Sequence, residues 1–122
     1  MDDHSIEQMK EAYAMFFVIE SKLRKIILTN LINTYGYSHL VKRYLAENQL
    51  YRNLVEYFKT LPQVLPHFDN KQLSSLSKLT PIRNKIAHSH MLSDKEFKHL
   101  EKCYAIVKRA PITKKKKLVK SS

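Results

Sequence analysis

The first third of the chain carries an apolar pattern that is typical of one kind of structure. Between residues 5 and 36, apolar or aromatic side chains return every three or four positions, and Gly36, the only glycine of the 122 residues, closes the run. That period is the repeat of an α-helix with one buried face, and glycine is favoured where a helix ends in the left-handed conformation. The pattern predicts one long amphipathic helix over residues 5–35, beginning at the capping-box pair Ser5 and Gln8. Its inward positions are Met9, Tyr13, Phe16, Ile19, Leu23, Ile26, Ile27, Leu31 and Ile32.

Shorter helical segments follow the first. Ser38 is placed to cap a second helix, and a third is expected before Pro62. Its inward positions are Leu50, Leu54, Tyr57, Phe58 and Leu61.

The last part of the chain contains further helical segments. The run that begins near Leu73 meets Thr80 and Pro81. Proline lacks a backbone N–H, so the helix must kink there or restart with Thr80 as its cap. Ser93 and Glu96 form a second capping box, which opens a final helix. Because turn-forming residues are scarce, we expect an all-α, up-and-down bundle of four to five helices.

The composition divides the chain into a folded domain and a tail. Residues 112–122 are low in complexity and hold five lysines of the formal net charge of +11, so residues 1–111 keep +6. We expect residues 1–111 to form the helical domain and residues 112–122 to form a flexible tail. The tail is either a solubility segment or an electrostatic arm for RNA or DNA.

Charge and apolar content also restrict the setting of the protein. Lysine and arginine total 22 against 11 acidic residues, a surplus that favours a polyanionic partner. The longest apolar run has eight residues, whereas crossing a bilayer needs roughly 20. A single cysteine, Cys103, excludes an intramolecular disulfide. The start of the chain lacks the pattern of a secretory signal, and we expect a cytoplasmic protein with no membrane segment.

The segment at residues 81–90, PIRNKIAHSH, is the strongest candidate for chemistry. If Thr80 caps a helix, Arg83 lies in its first turn, where free N–H groups and a guanidinium together favour phosphate. Asn84 and His88 are four residues apart and share a face. Arg83 and His88 leave a helix in directions about 140° apart. Both can contact one phosphate only if the long arginine side chain reaches around the helix or if one of the two residues comes from a second copy of the chain.

This segment resembles a known family. The R-N-x-x-x-H pattern at residues 83–88 is similar to the signature of the HEPN superfamily, which comprises all-α domains that are often metal-independent ribonucleases. The first helix strengthens the resemblance: IESKLRKIILTNLINTYG at residues 19–36 is similar to the glutamate, Leu-Arg and terminal Tyr-Gly pattern of HEPN toxins and abortive-infection proteins.

The resemblance implies an activity and an assembly. Arg83 and His88 would be the catalytic pair, Asn84 the polar residue that follows the arginine, and two subunits would join their motifs in one cleft. We therefore expect a homodimeric endoribonuclease that uses no metal and no cofactor and leaves a 2′,3′-cyclic phosphate. The expected setting is a toxin–antitoxin, antiphage or phage-encoded system, with an antitoxin or regulatory protein as a further partner.

Glu20 is a second candidate, because it lies at the edge of the apolar stripe of the first helix. A carboxylate facing a core needs a cation or a donor. In some HEPN proteins an acidic residue of the first helix assists the motif, so one interpretation is that Glu20 pairs with Arg83. The other is a structural pair with Arg24 or a lysine.

The expected RNA contacts are Lys85, His90, Lys114, Lys115, Lys116 and Lys117. His90 departs from the family pattern, because similar toxins carry tyrosine there, so control by adenylylation of that tyrosine is unsupported. His88 and His90 lack a nearby carboxylate or cysteine that would complete a ligand set, and we expect no metal site. Two other readings stay open: a non-catalytic HEPN adaptor that binds RNA, nucleotide or a protein, and a regulator that docks partners on its first helix.

Overall fold

The computed structural model describes residues 3–47 and 49–114, and this part of the chain contains six helices and no strand. They are α1 (Asp3–Tyr35), α2 (His39–Ala46), α3 (Tyr51–Thr60), α4 (Asn70–Ser77), α5 (Thr80–Ala87) and α6 (Asp94–Arg109). The prediction of an all-α bundle is confirmed. The predicted fourth helix restarts at Thr80, which separates α4 from α5.

The long helix α1 is the central element and packs against α2, α3, α5 and α6. It begins at Asp3, two residues before the predicted start. At its end, Gly36 takes a φ of +62° and its N–H donates to the carbonyl of Ile32 at 2.8 Å. The predicted left-handed glycine is therefore confirmed, and it turns the chain back into α2.

The directions of the helices follow from contacts at both ends of the bundle. Lys22 Nζ donates to the carbonyl of Lys108 at 2.7 Å, so the C-terminal end of α6 lies beside the second half of α1. Leu92, just before α6, borders a groove with Ala12. Thus α1 and α6 run in the same direction. Tyr51, at the start of α3, donates its hydroxyl to the carbonyl of Leu76 near the end of α4, so these two helices run in opposite directions.

A single apolar core fills the space between the helices. The inner face of α1 contributes five side chains without exposed surface, and α3, α4 and α6 supply most of the rest. The five are Ile19, Leu23, Ile26, Ile27 and Leu31. Two positions differ from the predicted stripes: Leu50 is 45% exposed while Tyr51 is buried beside Phe16, and Tyr13 is 65% exposed while Ala12 is buried. The other predicted inward positions from Phe16 to Ile32 on α1 and from Leu54 to Leu61 on and after α3 are buried or pack against the core.

The caps show which local signals decide the ends of helices. Ser93 and Glu96 form the predicted capping box at the start of α6. Thr80, in contrast, is the first residue of α5 and not its cap, and Pro81 occupies the second position. Proline is accepted there because the first N–H groups of a helix have no partner inside it.

The packed part of the chain extends slightly beyond the predicted domain end at residue 111. Ile112 packs against the core, and its carbonyl accepts hydrogen bonds from Asn30 Nδ2 at 2.7 Å and from His67 Nε2 at 3.0 Å. Lys114 is exposed, and most of the predicted tail lies outside the described residues. Among the helices of residues 3–47 and 49–114, none has the length and apolar character of a membrane span.

Candidate active site

The predicted motif lies on α5, a short helix with one apolar side. Ile82 is buried and Ile86 half-buried, and both hold α5 against the first half of α1. Arg83 is half-buried, whereas Asn84 and His88 are exposed. The local sequence therefore turns the apolar positions inward and leaves the three polar motif residues at the surface.

The end of α5 is a tight turn that carries both motif histidines. Ser89 has a φ of +56°, its N–H donates to the carbonyl of Ile86 at 3.1 Å, and the N–H of His90 donates to the carbonyl of Lys85 at 2.8 Å. These are the two hydrogen bonds of a Schellman motif, in which glycine usually takes the left-handed position. A side chain in that conformation costs roughly 1–2 kcal/mol. The turn brings the rings of His88 and His90 to a centroid distance of 6.0 Å.

Arg83 and Glu20 border the same small cavity. This depression of about 140 Å³ lies between α1 and α5. Glu20 forms an ion pair with Arg24 at 3.7 Å, one turn along α1, and within the described chain no ion pair joins it to Arg83. The structural pair of Glu20 with Arg24, one of the two interpretations of the sequence, is thus present, and Arg83 lines the same depression as Glu20. The lining residues are Tyr13, Phe16, Phe17, Glu20, Arg83, Ile86 and Ala87.

A larger groove adjoins this cavity and extends to His90. It has a volume of about 390 Å³, and Tyr13 and Ile86 form a common wall with the arginine cavity. The other lining residues are Ile6, Gln8, Met9, Lys10, Ala12, Ser89, His90 and Leu92. One face of the molecule therefore presents Arg83 with Glu20 at one end and the histidine turn at the other.

The same face of α1 exposes large apolar side chains. Tyr13 and Phe17 are 65% and 61% exposed, and Ile6 is 39% exposed. At 100° per residue these three positions fall within about 40° of one another around the helix axis. Large apolar side chains grouped on one surface of a protein mark sites of association. The sequence stripe included Tyr13 as an inward position, and the spacing of Ile6, Tyr13 and Phe17 is the signal that separates this second face from the core.

Lys85, predicted to contact RNA, has a partner inside the protein. Its ammonium lies 2.8 Å from Glu96 Oε2 and donates to Oε1 at 2.9 Å. Glu96 also accepts a hydrogen bond from the backbone N–H of Ser93. The hydrogen bond from Lys85, followed by that from Ser93, lowers the pKa of the Glu96 carboxyl. Lys85 thus connects the end of α5 to the start of α6 and holds the two ends of the histidine turn together.

The predicted lysine contacts of the tail begin at the other end of the bundle. Lys114 follows Ile112, whose carbonyl is bound to Asn30. Asn30 is ten residues beyond Glu20, or about 15 Å along α1 at 1.5 Å per residue. The structure therefore does not bring Lys114 to the arginine cavity. Lys115, Lys116 and Lys117 lie outside the described residues.

Cys103 and its neighbours form a buried structural cluster. The thiol donates to the carbonyl of Ser75 at 3.5 Å, and His99 Nε2 lies 2.8 Å from the same oxygen. Burial raises the pKa of the Cys103 thiol to about 11, which suppresses the reactive thiolate. Across residues 3–47 and 49–114, no group of three or more His, Cys, Asp or Glu side chains is arranged to hold a metal ion.

Family models, curated proteins and solved structures all gave no match to the chain.

Proposed function

We propose that the protein is a metal-independent endoribonuclease of the HEPN type that acts as a homodimer. His88 takes the proton from a ribose 2′-hydroxyl, and the freed oxygen attacks the adjacent phosphorus. Arg83 stabilises the negative charge that develops on the phosphate, and Asn84 donates to the same group. The product carries a 2′,3′-cyclic phosphate. The observation that carries this proposal is the single surface on which Arg83 and Glu20 border one depression and His90, two residues beyond His88, borders the adjoining one.

The homodimer is supported by helix geometry together with exposure. Within one chain, Arg83 and His88 leave α5 in directions about 140° apart. A twofold axis close to α5 would place the histidine turn of one chain opposite the arginine of the other. The exposed apolar face formed by Ile6, Tyr13 and Phe17 adjoins that position and supplies the surface that such a contact would bury.

The charge of the chain favours a polyanionic substrate such as RNA. The net charge of +11 attracts a phosphate backbone and gives an affinity that falls with salt. A toxin or antiphage role in the cytoplasm, controlled by an antitoxin or regulatory protein, is the setting that the HEPN resemblance implies and that we propose here.

Metal-free digestion of RNA tests the proposed reaction. We expect wild-type protein to cleave in EDTA and to leave 2′,3′-cyclic phosphate ends, and Arg83→Ala and His88→Ala to lose about 100-fold or more of the rate. Arg52→Ala and His39→Ala are matched controls, because both side chains are exposed on other helices. Equal rates for the wild type and the two motif variants would refute the catalytic assignment.

Mixing the two inactive variants tests the shared site. If each centre takes its arginine from one chain and its histidine from the other, a heterodimer of Arg83→Ala and His88→Ala retains one intact centre. We expect the mixture to recover part of the activity that each variant lacks alone. Full activity from a protein that sedimentation shows to be monomeric would contradict the shared site.

A non-catalytic HEPN adaptor is the second candidate. The groove of about 390 Å³ is lined mainly by apolar side chains, which suits binding of a partner or a nucleotide base. An adaptor would bind RNA, nucleotide or protein through the same surface without turnover. Binding of RNA by wild-type protein with no cleavage at any protein concentration would favour this reading.

A further inference from the structure

The turn at Ser89 produces a pair of histidines that helical geometry alone would keep apart. Residues two apart on a helix leave it in directions about 160° apart. The positive φ of Ser89 instead folds the chain so that the His88 and His90 rings lie 6.0 Å apart at centroids, with 40° between their planes. A strained backbone persists where the surrounding structure enforces it, and it is concentrated at functional sites. Here the Lys85–Glu96 pair fastens both ends of the turn.

Cleavage of a phosphodiester by a 2′-hydroxyl requires two proton transfers. The attacking 2′-oxygen must lose a proton, and the leaving 5′-oxygen must gain one to depart as an alcohol. The attacking and leaving oxygens lie roughly in line on opposite sides of phosphorus. Each transfer needs a group within about 2.6–3.2 Å of its oxygen. Two imidazoles 6.0 Å apart can therefore bracket one phosphorus and serve both oxygens.

We propose that His90 is the general acid of the reaction and His88 its general base, an assignment that rests on the proposed ribonuclease function. Neutral His88 accepts the 2′-hydroxyl proton as the 2′-oxygen forms its bond to phosphorus. Protonated His90 gives its proton to the 5′-oxygen as the bond between phosphorus and that oxygen breaks. The products are a 2′,3′-cyclic phosphate and a 5′-hydroxyl, and the two rings return to their starting states by proton exchange with water.

The surroundings of His90 suit a proton donor in contact with substrate. In the single chain His90 is exposed and borders the groove with Met9 and Tyr13. Lys10 borders the same groove, and its ammonium lies 3.6 Å from Glu7 Oε1. The backbone N–H of His90 donates to the carbonyl of Lys85, which fixes the position of the residue.

A substrate with a sulfur leaving group tests the role of His90. When sulfur replaces the bridging 5′-oxygen at the cleaved bond, the thiolate departs without protonation, so a general acid is not needed. We expect His90→Ala and His90→Asn to cleave ordinary RNA about 100-fold or more slowly than wild type and to cleave the sulfur substrate at close to the wild-type rate. His88→Ala should be slow on both substrates, and His39→Ala, an exposed control on α2, should match wild type on both.

The outcomes separate this assignment from the proposed function. An equal loss on both substrates would show that His90 only supports the turn, and an undiminished rate on ordinary RNA would show that it has no part in the reaction. Either result would overturn the general-acid role while the ribonuclease activity stood. Failure of the wild type to cleave either substrate would overturn the proposed function and this assignment together.

Discussion

The two ends of the bundle hold histidine side chains in opposite environments. At the end where the chain leaves α6, His67 is buried against Phe58, and its Nε2 is fixed to the carbonyl of Ile112. At the end of α5, His88 and His90 are exposed on a strained turn beside a groove. The first arrangement contributes packing to the fold, and the second keeps two imidazoles accessible. The two ends therefore differ in strain and exposure rather than in the type of residue, and the strained, exposed end is the one that carries the candidate site.

Truncation of one phenylalanine at each end gives the largest contrast. Phe58 is buried between His67 and Phe68, so Phe58→Ala should lower the free energy of unfolding by about 3–5 kcal/mol. Phe17 is 61% exposed, and Phe17→Ala should change the stability of the monomer by no more than about 0.5 kcal/mol. Urea denaturation at low protein concentration measures both values. Similar losses for the two variants would show that the two ends do not differ in packing.

Phe17 should contribute to dimerisation rather than to the stability of the monomer. If the α1 face is the dimer contact, Phe17→Ala should weaken the dimer about tenfold or more, the effect of truncating an aromatic anchor of an interface. Leu45→Ala is the matched control, because Leu45 is 56% exposed on α2. Sedimentation equilibrium gives the dissociation constants. An equal effect of both variants, or no effect of either, would remove Phe17 from the contact.

The strained turn predicts a gain in stability from a single substitution. Ser89→Gly should raise the free energy of unfolding by about 0.5–1 kcal/mol, because relief of roughly 1–2 kcal/mol of left-handed strain exceeds the added freedom of glycine in the unfolded chain. The midpoint of urea unfolding at constant slope measures this gain. A variant that is less stable than wild type would contradict the left-handed serine.

The buried histidine predicts a small pH effect. Burial, the largest cause, lowers the pKa of His67, the hydrogen bond to Ile112 opposes this shift, and the charge of Lys114 adds to it. At pH values below 6.5, the ordinary pKa of histidine, His67 therefore binds protons more fully in the unfolded chain than in the folded chain. The free energy of unfolding then falls as the pH falls. His67→Gln, which keeps a donor for Ile112, should lose less stability than wild type between about pH 7 and 5. An identical pH dependence for both proteins would contradict the lowered pKa.

Local signals in the sequence account for much of the fold but little of the site. The helical period of α1, the left-handed Gly36 and the Ser93–Glu96 box all act within a few residues, and all three predictions are confirmed. The inward position of Tyr51 in place of Leu50 depends on the carbonyl of Leu76 in another helix. Ser89 offers no local signal, because serine is not a residue type that favours the left-handed conformation it takes at the end of α5. The catalytic residues of the motif remain predictions.

Tyr13 forms part of the wall between the arginine cavity and the adjoining groove, and its exposure determines how fast its ring moves. A side chain that is 65% exposed has few neighbours to hold it, and such side chains change rotamer within picoseconds to nanoseconds. An enzyme of ordinary speed completes about ten turnovers per second. The ring would therefore change rotamer about 10⁸ times or more during one turnover. In the free monomer the ring of Tyr13 therefore does not stay in one position long enough to act as a gate between the arginine cavity and the histidine turn.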